Sequence, residues 1–375
     1  MYKRLIEKTI QEKFFKGKIL IIVGARQTGK TTLGLDLMKK FSKGEIRSFN
    51  CDNPTDREYL NNKDLEFLEQ LIGEAKLIFI DEAQKVANIG ETLKLMVDFY
   101  KKKKQIIVTG SSSINLLDNT QEPLTGRKYV YQLFPLSLEE IYSDKNYLKL
   151  TKELEGLMIF GSYPEVVSQK SFEDKKDLVK ELASSYIYKD ILGFQEIKSP
   201  DVLVKLLKAL ALQIGSQVSY TELANIVQID KKTIERYIEL LEKSFVIFRL
   251  SPLTKNKRRE ISKLKKIYFY DTGVRNAVIN NFNFLDSRKD VGMLWENFII
   301  AERVKFRLYH QIEAEQYFWR TYDGNEIDLI EEKAGKLCGY EFKWNFKEER
   351  KGNPFPWLDS YQLVTKKNLK PFIFS

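Results

Sequence analysis

An apolar run that stops on a glycine-rich turn limits this chain's options more than any other feature. Lys18-Ile19-Leu20-Ile21-Ile22-Val23 has the length and β-branched content of a buried strand. It leads straight into Gly24-Ala25-Arg26-Gln27-Thr28-Gly29-Lys30-Thr31, which fits G-x-x-x-x-G-K-[ST], and a helical pattern begins at Lys30. Glycines let the backbone curl so that its N–H groups face an anion, and the helix start adds a favourable field. On this reading Gly24, Ala25, Arg26, Gln27, Thr28, Gly29, Lys30, Thr31 and Thr32 bind ATP. Lys30 reaches the β- and γ-phosphates, and Thr31 holds Mg²⁺. A glycine turn beside a surface lysine carries the same letters, but a buried strand before it and a helix after it favour the cradle.

Leu77-Ile78-Phe79-Ile80-Asp81-Glu82 is an apolar strand ending in two acids, which sets both carboxylates at a strand's C-terminal edge. Ligands of doubly wound sheets sit at that edge. Asp81 is the expected Mg²⁺ partner and Glu82 the group that polarises the attacking water; the alternative is a pair that caps the next helix. A third run, Gln105-Ile106-Ile107-Val108-Thr109, ends in Gly110-Ser111-Ser112-Ser113. Ser111 there either senses the γ-phosphate or caps a loop. Leu124-Thr125-Gly126-Arg127 supplies an arginine that either neutralises transition-state charge, in cis or across a subunit boundary, or is solvated surface. Glu91 to Tyr100, with Leu93, Met96, Val97 and Tyr100 at helical spacing, completes a strand–helix–strand alternation. That alternation predicts an α/β fold, a parallel sheet with crossover helices.

Composition removes other chemistries. Two cysteines, Cys51 and Cys338, form no disulfide framework or zinc set and fit a reducing cytoplasm. The single histidine, His310, stands in no triad-like setting, so carboxylates, lysines, arginines and backbone amides carry the chemistry. No apolar run reaches the roughly 20 residues that cross a bilayer, and the N-terminus carries no signal-peptide core, so no membrane association is expected. The length of 375 residues predicts two or three domains. The net charge of +10 favours an anionic partner, although a lysine-rich proteome gives the same balance.

Taken together, Gly24 to Thr31, Ile80-Asp81-Glu82-Ala83, Thr109-Gly110-Ser111-Ser112 and Leu124-Thr125-Gly126-Arg127, followed by Phe134-Pro135-Leu136, resemble the prokaryotic AAA-type P-loop ATPases with a C-terminal domain of unknown function 4143. The resemblance continues through Gly161-Ser162-Tyr163-Pro164, Tyr268-Phe269-Tyr270-Asp271-Thr272-Gly273 and Gly324-Asn325-Glu326-Ile327-Asp328, nearly the whole chain. It implies a P-loop ATPase domain, a winged-helix middle and a restriction-endonuclease-like α/β tail. The expected domains are 1–145 (ATPase), 146–215 (helical linker), 216–285 (winged helix-turn-helix) and 286–375 (tail). Ser111 or Ser112 stands where such ATPases carry a sensor asparagine.

The residues of the middle agree. Ser219-Tyr220-Thr221-Glu222 is a capping box, and Asp230 caps a second helix with Ile234, Tyr237, Ile238 and Leu241 as its buried stripe. Phe245 to Leu250 reads as the strand that follows. Lys231, Lys232 and Arg236 face outward beside Glu235 and Glu239. Lys255, Lys257, Arg258, Arg259, Lys263, Lys265 and Lys266 concentrate charge where a wing belongs. DNA phosphates are the expected partner of Lys231, Lys232, Arg236, Lys257, Arg258 and Arg259, with a solvated charged loop as the alternative.

In the tail, Gln316 to Arg320, Glu326 to Ile330 and Leu337 to Trp344 read as strands. Asp328, then Glu341-Phe342-Lys343, resembles the Asp-x(12)-Glu-x-Lys core of PD-(D/E)xK nucleases, with Glu296 as a further ligand for a second Mg²⁺ or Mn²⁺. Acid-x-lysine alternation also marks exposed strands, and Ile327 stands where such nucleases carry proline. The preferred reading is a cytoplasmic Mg²⁺-ATPase coupled to DNA binding or remodelling, in a chain able to form a homo-oligomer. The rivals are an ATP-regulated metal-dependent nuclease and a nucleotide-switched signalling scaffold with an inactive nuclease fold.

Overall fold

Parallel strands absorb the apolar runs of the N-terminal part. The computed structural model describes residues 2–61, 64–110, 123–142, 146–185, 200–254, 264–321, 324–345 and 354–374. Strands β1 (Ile19–Val23), β2 (Ile46–Asn50), β3 (Leu77–Asp81), β4 (Gln105–Gly110) and β5 (Lys128–Gln132) form one sheet in the order β2-β3-β4-β1-β5, and every neighbouring pair runs parallel. The three inner strands β1, β3 and β4 are buried throughout, as a sheet covered on both faces requires. The helix Ile89–Tyr100 lays Leu93, Met96, Val97 and Tyr100 into that core, the stripe its spacing predicts. The α/β class expected from the sequence is therefore present.

Strand order decides where the motifs meet. β4 separates β1 from β3, pairing Val23 with Gly110 on one side and Val108 with Ile80 on the other. The C-terminal ends of β1, β3 and β4 consequently lie side by side at one sheet edge.

Two compact units make up the chain: Met1–Phe134 with Lys243–Phe245, and Pro135–Glu242 with Val246–Ser375. The second opens with the short helix Leu138–Ile141, followed by the helices Tyr147–Phe160, Pro164–Ser168, Phe172–Ser185 and Pro200–Leu212. After β6 (Gln217–Val218), the Ser219 hydroxyl accepts from Glu222 N at 3.3 Å and starts the helix Tyr220–Val227. Asp230 accepts from Thr233 N at 2.9 Å and starts Lys231–Lys243, which buries Ile234, Tyr237, Ile238 and Leu241. Strands β7 (Ile247–Pro252) and β8 (Lys265–Phe269) then pair antiparallel.

The long helix Val291–Tyr309 leads into β9 (Glu315–Arg320), β10 (Glu326–Lys333), β11 (Lys336–Phe342) and β12 (Ser360–Val364). β9, β10 and β11 are antiparallel, and β12 joins β11 in parallel. Ser251 pairs with Tyr317 and Pro252 with Phe318, so β7 and β9 fuse the two groups into one seven-stranded sheet, β12-β11-β10-β9-β7-β8-β6. Among the described residues no helix is long and apolar enough to cross a membrane.

Candidate functional sites

The cradle is built where β1 ends. A Cβ on Gly24 would lie 2.1 Å from the Leu133 carbonyl oxygen, so only glycine lets the chain pass beside the segment whose Leu133 N–H bonds Val23 at 2.7 Å. Gly29, at φ 95°, turns the loop into the helix Lys30–Met38. Thr28 Oγ1 donates to the Ala25 carbonyl at 2.8 Å and closes the loop on itself. The Lys30 ammonium is buried at 5% exposure and folds back onto the carbonyls of Gly24 (3.0 Å) and Ala25 (2.8 Å). Arg26, Gln27 and Thr32 complete the loop and the first helical turn.

The acids stand across from it. Thr31 Oγ1 donates to Asp81 Oδ2 at 2.8 Å, which joins the two residues expected to hold Mg²⁺. Thr109, the β4 residue before Gly110, donates its hydroxyl to the other Asp81 oxygen and accepts from Glu82 N at 3.3 Å. Glu82 leaves β3 in a left-handed conformation, φ 54° and ψ 40°, and accepts from Gln84 Nε2 at 2.6 Å. A non-glycine residue held there costs of the order of 1–2 kcal/mol, and such strain concentrates at functional sites. Donor chemistry and placement both suit a Mg²⁺-bound phosphate chain: a hydroxyl and a carboxylate at the edge where the glycine loop curls.

Arg4 joins this site without any signal in the sequence. Its guanidinium is buried at 6% exposure and donates to the Thr28 carbonyl at 2.6 Å and the Phe134 carbonyl at 2.7 Å. It thereby pins the loop from behind. Arg4→Met removes a charged donor from two buried carbonyls, a loss of roughly 1.5–3 kcal/mol. We expect ATP affinity to drop about tenfold by calorimetric titration while far-ultraviolet circular dichroism stays native.

Arg127 is not brought to the phosphates. Its carbonyl accepts from Ile19 N at 2.9 Å, at the start of β1, whereas the cradle follows Val23 at the opposite sheet edge. Its guanidinium instead holds Asp98 Oδ1 at 2.6 Å on the surface. Of the alternatives open for Arg127, action in cis does not match this placement: parallel strands put the beginnings of β1 and β5 together and keep both away from their ends. Ser111 lies outside the described residues.

On the helix Lys231–Lys243, Lys231, Lys232 and Arg236 are exposed, with Lys231 3.7 Å from Glu235 and Arg236 stacked on Tyr237. Lys257, Arg258 and Arg259 lie outside the described residues. Lys266, grouped by its sequence position with the wing charges, is 1% exposed and points inward.

Lys266 belongs to the tail cluster. Its Nζ lies 2.9 Å from Glu296 Oε1, also pairs with Glu326, and sits 5.5 Å above the Phe318 ring. Burial disfavours its charge, but Glu296, Asp328 and Glu326 outweigh that and hold its pKa above the ordinary lysine value. Tyr268 donates its hydroxyl to the same Glu296 oxygen at 2.6 Å. Asp328, 8% exposed, accepts from Phe342 N at 2.8 Å; burial first, and Glu296 second, raise its pKa well above the usual carboxylate range. Glu341 pairs with Lys343 at 3.0 Å and accepts from the Tyr361 hydroxyl. Glu296, Asp328 and Lys343 line one cavity of about 450 Å³. The four predicted tail residues are thus neighbours. Yet among the described residues no group of three or more His, Cys, Asp or Glu side chains is placed to hold a metal ion. The donor set does not fit the second Mg²⁺ or Mn²⁺ expected there, because an ammonium occupies Glu296.

Residues 16–142 match the AAA domain model, 151–284 a domain of unknown function 8612, and 291–362 the domain of unknown function 4143. An uncharacterized protein of Mycobacterium tuberculosis is 26% identical over 336 residues, 89% of this chain and 72% of its own length. One from Methanocaldococcus jannaschii is 26% identical over 350 residues, 87% of this chain and 75% of its own. Among solved structures, AMPPCP-bound DnaA from Aquifex aeolicus aligns at 16% identity with a TM-score of 0.31, over 63% of this chain and 86% of that one.

Proposed function

For a chain that carries an AAA domain followed by a domain of unknown function 4143, we propose Mg²⁺-dependent ATP hydrolysis coupled to DNA binding or remodelling by the C-terminal region. The observation that carries this reading is the Thr31–Asp81–Thr109 hydrogen-bond chain facing the Gly24–Thr31 loop, with Glu82 next to it. Thr31 and Asp81 hold Mg²⁺, which when bound neutralises phosphate charge. The loop amides orient the triphosphate, and Lys30 exchanges the carbonyls of Gly24 and Ala25 for β- and γ-phosphate oxygens. Glu82 takes hold of the attacking water and accepts its proton. Arg127 reaches a phosphoryl group only from a neighbouring copy, which makes a homo-oligomer part of the proposal. The two free cysteines suit a cytoplasmic setting.

DNA enters through charge. The net +10, the exposed Lys231, Lys232 and Arg236, and the Lys257-Arg258-Arg259 run support contact with phosphates. ATP turnover with and without DNA, on purified protein of measured mass, tests the coupling: DNA should change the rate, and an unchanged rate at saturating DNA would refute it. Reversing Lys257, Arg258 and Arg259 to Glu should flatten the salt dependence of DNA binding by roughly 0.9 in log–log slope per lost contact. An unaltered slope in a filter-binding salt series would make them solvated surface.

A further inference from the structure

We infer that Lys266 stands in for a metal ion in the tail, so that the carboxylates of the nuclease-like cluster are neutralised from within and take no divalent cation. A divalent ion needs carboxylate oxygens with free lone pairs converging on one point. Here Glu296 Oε1 already accepts from Lys266 at 2.9 Å and from Tyr268 at 2.6 Å. Glu326 is paired with the same ammonium, Asp328 is bound to the Phe342 amide, and Glu341 is bound to Lys343 and Tyr361.

Lys266 cannot step aside. Its side chain is 1% exposed, fixed by the buried strand β8 and roofed by Phe318. A buried ammonium that loses its carboxylates is left uncompensated, so cation and lysine compete for the same oxygens and the covalently attached one is always present. The cluster thereby welds β8, the helix Val291–Tyr309 and β10 together through one charge, which is a structural use of residues that otherwise read as a hydrolytic centre. This inference does not depend on ATP hydrolysis, because the cluster lies wholly within the second unit.

Mn²⁺ titration of the nucleotide-free full chain, followed by electron paramagnetic resonance, tests it. Wild-type protein should show no stoichiometric Mn²⁺ that Glu296→Gln or Asp328→Asn removes. Lys266→Met frees the carboxylates and should bind Mn²⁺ at least tenfold more tightly than wild type, with Glu296→Gln abolishing the gain. One Mn²⁺ per wild-type chain that Asp328→Asn eliminates would overturn the inference, and so would a folded Lys266→Met protein with no gain. If Lys266→Met does not fold, the comparison of wild type with Glu296→Gln and Asp328→Asn decides alone.

Discussion

Glu82→Gln should bind ATP–Mg²⁺ as wild type does and hydrolyse it at least about a hundredfold more slowly, the loss typical of a removed general base. The amide keeps the size of the side chain, and its retained oxygen still accepts from Gln84 Nε2. The backbone that aims it, held through Thr109 Oγ1, is untouched. Bound nucleotide makes no demand on that carboxylate, whereas the water does. Lys30→Ala is the contrasting case. Its ammonium meets phosphate charge in ground and transition states alike, so affinity and turnover should fall together. Calorimetric titration beside phosphate release separates the two patterns. A Glu82→Gln protein turning over at the wild-type rate would mean that another group positions the water.

Asp290→Asn should destabilise the second unit by roughly 3–5 kcal/mol, the cost of leaving buried cations without their partner. Arg275 and Arg288, both inaccessible at the side chain, converge on Asp290 Oδ2 at 2.6 and 2.8 Å, and Arg288 Nε adds Oδ1 at 2.8 Å. Asn276 joins them: its Oδ1 accepts from both guanidinium groups and its Nδ2 donates to the Met158 and Ile159 carbonyls. The Asn276 amide therefore ties the helix Thr272–Val278 to the end of Tyr147–Phe160, and the Asp290 carboxylate holds Arg275 of that helix together with Arg288. Burial works against the Asp290 charge, but Arg288 and Arg275 prevail and bring its pKa down to about 2. The sign follows. A depressed carboxylate contributes stability above its unfolded value near 4, here about 2 kcal/mol, and loses it as pH falls through about 2. Urea titrations at stepped pH should show the stability gap between wild type and Asp290→Asn narrowing across that acid window. Equal stability of the two proteins at pH 7 would contradict the network's role.

The cradle and its acids were legible because inner parallel strands leave continuous apolar runs, and each run ends on the residues that do chemistry. β2 (Ile46–Asn50) and β5 (Lys128–Gln132) escaped notice because they are outer strands whose half-exposed faces carry polar letters. Periodicity and capping placed the two helices after Ser219 and Asp230, since each start is a local hydrogen bond. Long-range placement was the gap. Arg4 reaches Thr28 across most of the first strand and its turn, and no local pattern announces that. For Arg127 the choice between cis, trans and surface stayed open, because sequence distance from the cradle does not say which sheet edge a loop occupies. Lys266 was counted with its basic neighbours, although one step along β8 decides between solvent and the interior.

Phosphate release from ATP by the full chain, with Mg²⁺ and then with excess chelator, tests the central claim most directly when run beside Asp81→Asn. Asp81 joins the Thr31 and Thr109 hydroxyls at the mouth of the cradle, so the account predicts steady turnover with Mg²⁺, none with chelator, and a loss of at least about a hundredfold in Asp81→Asn. Turnover that persists in chelator, or that Asp81→Asn leaves at the wild-type rate, would contradict it.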